Sequence, residues 1–169
     1  MKYGTMSYLS VGGRVLMVKK GQRENDPNSG FYTLPGGKLK DFEKGLISPR
    51  GRVYSAIRET KEETGINLIN PRLRGVILFD NSERIFDNWP NPQDFLVHVF
   101  QARTCSGLLG MGGGEGIPVW VDESGLGSVP KNLGDELMYD WIKDGRFFTG
   151  VIRHKGRVLD EAGTFVDYF

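Results

Sequence analysis

Residues 52 to 64 constrain the fold most. Val53, Ala56, Ile57, Thr60 and Thr64 recur there at i, i+3, i+4, i+7 and i+11, the spacing of a helix that buries one stripe. Gly65 follows where a C′ glycine ends such a helix. A helix of this kind is marginal by itself, so the rest of the chain must cover its stripe. "LRGVILFD" (73–80) and "DFLVHVFQA" (94–102) are rich enough in β-branched and apolar residues to be buried strands. Residues 2–10 and 14–19 read as a strand pair turned at Val11–Gly13, and "LGDELMYDWIKDG" (133–145) has the spacing of a second amphipathic helix. The expected architecture is a mixed α/β (α+β) fold in one domain, 1–169, long enough to bury its own core.

The connections follow from composition. "NDPNSGF" (25–31) is a loop, and "YTLPGGKL" carries a short strand into a Pro-Gly-Gly turn. "NSERIFDNWPNPQ" reads as a polar connection, "SGLLGMGGGEG" (106–116) as a glycine-rich loop and "IPVWV" as a strand after it. "RFFTGVIRHKGRVLDEAGTFVDY" closes the chain with strand-like pieces around turns. His98 alternates within an apolar strand and reads as a core residue, whereas His154 is expected at the surface.

Lys plus Arg number 22 and Asp plus Glu 21, a net charge of +1. Such a balance gives no reason to expect a nucleic-acid polymer or a membrane surface as partner, so an anionic ligand needs a local site. One cysteine, Cys105, rules out an internal disulfide framework and points to a reducing, cytoplasmic setting. The N-terminal "MKYGTMSYLSVGGRVLMV" has no apolar run long enough for a signal peptide or membrane span. Nothing in the residues decides between monomer and homodimer.

The helix 52–64 also carries "RETKEE". At about 100° per residue, Glu59, Glu62 and Glu63 fall within roughly a 100° arc beside the apolar stripe. Like charges at i, i+3 and i, i+4 repel by a few tenths of a kcal/mol each. Taken alone, such a run is ordinarily a solvated face, here offset by Arg58 and Lys61. A divalent metal would reverse the sign of the repulsion, because hard cations take oxygen ligands. Upstream lies "LPGGK", where Gly36 and Gly37 permit close backbone approach and Lys38 adds a point charge suited to phosphate.

"GGKLKDFE … RETKEETGI" resembles the signature of the Nudix hydrolases: a glycine, five residues, a glutamate, seven residues, then Arg-Glu-apolar-x-Glu-Glu-x-Gly-apolar. Gly37 and Glu43 match its start; Arg58, Glu59, Glu62, Glu63, Gly65 and Ile66 match its end. Thr60 stands where an apolar residue is usual, and fourteen residues instead of seven separate Glu43 from Arg58. The resemblance implies a Nudix fold, with a mixed β-sheet sandwiched between α-helices. It also implies hydrolysis of a nucleoside diphosphate linked to another group, dependent on Mg²⁺ (Mn²⁺ is a possible substitute). Carried over by position, Glu59, Glu62, Glu63 and the Gly36 carbonyl would hold metal. Arg58, Glu59 and Glu62 would be catalytic, Gly37 and Lys38 would meet phosphate, and Glu43 would support the site.

"GEGIPVWVDE" (114–123) resembles the region of MutT-type members where an acidic residue precedes a Trp-bearing strand, which makes Glu115 a further metal ligand by implication. "WVDE" is similar to a stretch in the animal enzymes that clear oxidised purine nucleoside triphosphates. Trp120, Asp122 and Glu123 would then line a base pocket, an indole stacking and acids accepting from a purine edge. Thr5 and Thr33 would contact the base. On this reading the substrate is a nucleotide such as 8-oxo-dGTP, cleaved to monophosphate and pyrophosphate. The alternatives are another nucleoside diphosphate derivative, such as ADP-ribose or a dinucleotide polyphosphate, and a non-catalytic Nudix-like binding module.

Overall fold

The structure, a computed structural model, describes residues 1–22, 28–40, 49–85, 93–111 and 116–169. The 52–64 pattern becomes helix α1, Pro49–Thr64, and the second amphipathic stretch becomes α2, Asp135–Asp144. The strands in chain order are β1 (Lys2–Val11), β2 (Arg14–Lys20), β3 (Tyr32–Thr33), β4 (Gly36–Lys38), β5 (Asn67–Ile69) and β6 (Arg72–Arg84). After them come β7 (Phe95–Ala102), β8 (Thr104–Ser106), β9 (Gly116–Asp122), β10 (Phe148–Gly156), β11 (Val158–Leu159) and β12 (Phe165–Tyr168).

The main sheet runs β11–β10–β6–β7–β1–β2–β3, with β12 added to β10, β4 to β1 and β9 to β2. It is mixed: β1 pairs β7 and β6 pairs β10 in parallel, while β6–β7, β1–β4 and β2–β9 are antiparallel. Strand alternation divides the interior into two cores. Tyr8, Val15, Met17, Val97 and Val99 face α2 and pack with Met138, Tyr139, Trp141 and Ile142. Leu9, Leu16, Phe100 and Ala102 point the other way and pack with Ala56, Val53 and Ile57 of α1. The sheet is thus sandwiched between α1 and α2.

Four local expectations change. The Pro-Gly-Gly segment is not a turn. Gly36 and Gly37 belong to β4, in register with Met6 and Thr5 of β1, because only residues without a side chain fit there. A Cβ on Gly36 would lie 2.1 Å from the Thr5 carbonyl oxygen. Residues Asn81–Arg84, read as connection, extend β6, because β10 continues beside them, Lys155 against Glu83 and Gly156 against Arg84. His154 is 1% exposed rather than at the surface, since it shares the inward parity of Phe148 and Ile152 on β10. Within the glycine-rich stretch and before it, β8 pairs β5 as a separate two-stranded ribbon. Among the described residues no helix is long and apolar enough to cross a membrane.

Candidate active site

The acidic face of α1 lies over β4. Gly37 sits beneath Glu59, so closely that a Cβ there would be 2.5 Å from the Glu59 carboxyl carbon and Oε2. The missing side chain is what lets the carboxylate rest against the strand backbone. Arg58, largely buried, points Nη1 at Glu59 Oε1 (2.7 Å) and at Glu62 Oε2 (2.8 Å), so one guanidinium spans two of the three acids. Glu62 is the outermost, 52% exposed, and its Oε1 lies 3.4 Å from Lys40 Nζ. Glu63 is turned inward. Lys20 Nζ lies 2.8 Å from its Oε1, and the Gly36 N–H donates to its Oε2 at 2.8 Å.

The end of the helix is built to hold that face in place. Thr64 Oγ1 donates to the Thr60 carbonyl at 2.6 Å and accepts from the Ile66 N–H at 3.1 Å. Gly65, at φ 79°, breaks the helix, and Gly110 N–H caps the Thr64 carbonyl at 2.8 Å. The segment after β8 is thereby fastened to the helix terminus. β9 then begins at Gly116, directly opposite Lys20.

The sequence-derived candidates divide into groups. Arg58, Glu59, Glu62, Glu63, Gly36 and Gly37 come together, and Lys38 is exposed at the end of β4. Glu43 and Glu115 lie outside the described residues. Thr5 is 1% exposed beneath α1, its Oγ1 3.4 Å from Ser55 Oγ, so it is packed against the helix. Thr33 is buried on β3, and its hydroxyl has no hydrogen-bond partner among the described residues.

Glu123 is not brought together with Trp120 and Asp122, which share one parity on β9. Trp120 packs into the α1-side core with the Arg14 guanidinium 6.0 Å from its ring centroid, and Asp122 is exposed. Glu123 opens a 3-10 helix, Glu123–Ser128, and accepts from the Tyr8 hydroxyl at 2.7 Å on the α2 side.

Two features escaped the sequence reading. Lys20, last residue of β2, serves Glu63; the Lys-Lys pair closing an apolar strand was its only signal. A polar group on the α2 side joins Tyr8, Glu123, Tyr139, Asp135, Arg84 and His154. Burial pushes the Asp135 carboxyl up to about 7 and the Arg84 guanidinium down to about 10. Burial, then the nearby Arg84 charge, takes His154 down to about 4. Burial also raises both tyrosines, Tyr8 further through its bond to Glu123. Among the described residues the Tyr139 hydroxyl and His154 Nδ1 have no hydrogen-bond partner.

The acids of α1 offer only oxygen donors, which suits a hard divalent cation, and the glycine strand beneath them leaves room for close approach. Among the described residues no three acidic, histidine or cysteine side chains converge to hold a metal unaided. Each carboxylate of the face is instead turned toward a cation of the protein itself.

Comparison with known proteins agrees with this fold. The model of the NUDIX domain matches residues 8–142. A Bacillus subtilis protein described as the uncharacterized Nudix hydrolase YvcI is 31% identical over 144 residues, covering 84% of this chain and 79% of its own length. The crystal structure of a MutT protein from Bacillus halodurans superimposes with a TM-score of 0.77 at 22% identity, over 99% of this chain and 98% of that one. The NUDIX domain of Shewanella oneidensis NrtR, solved with ADP ribose, gives 0.64 at 15% identity, over 85% and 87%.

Proposed function

The chain belongs to the Nudix hydrolase family, and from that premise we propose that it cleaves a nucleoside triphosphate to monophosphate and pyrophosphate with Mg²⁺ (or Mn²⁺) as cofactor. The hydrolases of this family act on small nucleotide substrates at pyrophosphate bonds and generally use a divalent metal. The observation that carries the reading is the pairing of the α1 carboxylates with the bare backbone of β4.

Glu59, Glu62 and Glu63 would hold the cation, with the Gly36 carbonyl and, from sequence, Glu115. A cation bound there neutralises phosphate charge and lowers the pKa of a water. Arg58 fixes the separation of Glu59 and Glu62 by donating to both. Glu62, the most solvent-open of the three, accepts a proton from the attacking water. Lys38 and Gly37 meet the phosphates. The single half-buried thiol Cys105 fits the cytoplasmic setting.

For the base, an oxidised purine such as that of 8-oxo-dGTP is favoured. Glu123 is an acceptor, which suits a purine edge that offers N–H donors. A second reading, a different nucleoside diphosphate derivative such as ADP-ribose, is favoured by the separation of Trp120 from Glu123. A panel of 8-oxo-dGTP, dGTP, ADP-ribose and a dinucleotide polyphosphate, assayed by product identity with Mg²⁺ and with chelator, tests the proposal. The expected result is fastest turnover of 8-oxo-dGTP with pyrophosphate released. Preference for ADP-ribose selects the second reading, and no chelator-sensitive turnover of any substrate rejects both.

A further inference from the structure

We infer that Lys20 is a positioning residue for the Glu63 carboxylate; this rests on the reading of that carboxylate as a cation ligand. Lys20 ends β2 with its backbone fixed on both edges. Its N–H donates to the Phe31 carbonyl at 2.9 Å, and its register partner on β9 is Gly116. From that anchored position Nζ reaches Glu63 Oε1 at 2.8 Å, with the two side chains 10% and 7% exposed. The Gly36 N–H takes the other oxygen at 2.8 Å. A glutamate would otherwise be free about three torsions, and one strong partner per oxygen fixes its plane.

Charge favours the same role. Glu63 is adjacent to Glu62 and one turn from Glu59, and at its depth water cannot replace the ammonium as counter-charge. The neighbouring Lys19 does something else: it is exposed, with Nζ 5.7 Å from the Tyr32 ring centroid. Two consecutive lysines therefore have different functions, set by the alternation of β2.

The test is Mn²⁺ binding, read from the EPR signal of free Mn²⁺ without nucleotide, for wild type, Lys20→Met, Lys20→Arg and Lys19→Met. Partners of metal ligands typically contribute about 10–100-fold to metal affinity, so Lys20→Met is expected to weaken binding by that factor. Lys20→Arg restores most of it, Lys19→Met behaves as wild type, and Lys20→Met adds little in a Glu63→Gln background. Cooperative melting in chelator verifies the fold; where Lys20→Met fails to melt cooperatively, Lys20→Gln takes its place with the same expectation. Binding by the Lys20 variant as tight as wild type or tighter overturns the inference, as does a full further loss in the Glu63→Gln background. Absence of Mn²⁺ binding by wild type instead overturns the cation reading itself, and this inference with it.

Discussion

Alanine at Gly37 separates the site's chemistry from the fold's stability, and alanine at Gly36 is its control. Neither glycine has a positive φ, so space alone decides the outcome. A Cβ at Gly37 would meet the Glu59 Cδ and Oε2 at 2.5 Å, against 3.4 Å for ordinary contact. The carboxylate must therefore retreat by about 1 Å, and misplacement of that size costs on the order of 10²-fold in rate. What moves is the end of a flexible side chain, so stability should change by less than about 1 kcal/mol, roughly 2–4 °C in melting midpoint for a chain of this size. At Gly36 the obstacle is backbone, the Thr5 oxygen at 2.1 Å and the Met6 Cα at 2.9 Å. Here β4 must part from β1, a cost of about 3 kcal/mol or roughly 6–12 °C. Melting by circular dichroism and pyrophosphate release on the same preparations make the comparison. If Gly37→Ala keeps wild-type turnover, or loses it only through a collapse like that of Gly36→Ala, the cradle argument is wrong.

Two further expectations concern the α2-side polar group. Asp135, raised from 3.8 to about 7, holds a proton in the folded chain that the unfolded chain releases. Its contribution is complete below about pH 4 and lost as pH rises through about 7. His154, lowered from 6.5 to about 4, contributes above pH 6.5 and loses that as pH falls toward 4. The two oppose each other in one window. Asp135→Asn should make stability rise with pH there and His154→Gln should make it fall, read as urea midpoints at about pH 5 and about pH 7; a falling slope in the first variant would contradict the His154 assignment, and a rising slope in the second the Asp135 assignment. Tyr8→Phe removes a part-buried 2.7 Å bond to Glu123. It should cost about 2 kcal/mol, roughly 4–8 °C, and an unchanged midpoint would show that the bond contributes nothing.

The helices and long strands were legible because periodicity reports burial directly: Ala56, Thr60 and Thr64 face inward as spaced. His154 was legible in principle, through the shared parity of Phe148, Ile152 and His154, but a polar side chain is ordinarily expected at the surface. The glycine strand was not. Gly36 and Gly37 look like a turn to any local rule, and only the approach of the Thr5 carbonyl and the Glu59 carboxylate explains them. Likewise, Glu63's inward orientation depends on Lys20, 43 residues away in sequence. Trp120 and Glu123 are three residues apart, yet the end of β9 sends them to opposite faces of the sheet.

The central claim, that the acidic face of α1 performs cation-dependent hydrolysis, is tested most directly at Glu62. This side chain is half exposed and paired only with Arg58 and Lys40 among the described contacts, so Glu62→Gln should shift stability by less than about 1 kcal/mol. Pyrophosphate release from a nucleoside triphosphate, titrated with Mg²⁺, is the measurement. The account predicts turnover in the wild type that chelator abolishes, and a loss of about 10²–10⁴-fold in a folded Glu62→Gln protein. Undiminished turnover in that variant, or turnover indifferent to the cation, would contradict it.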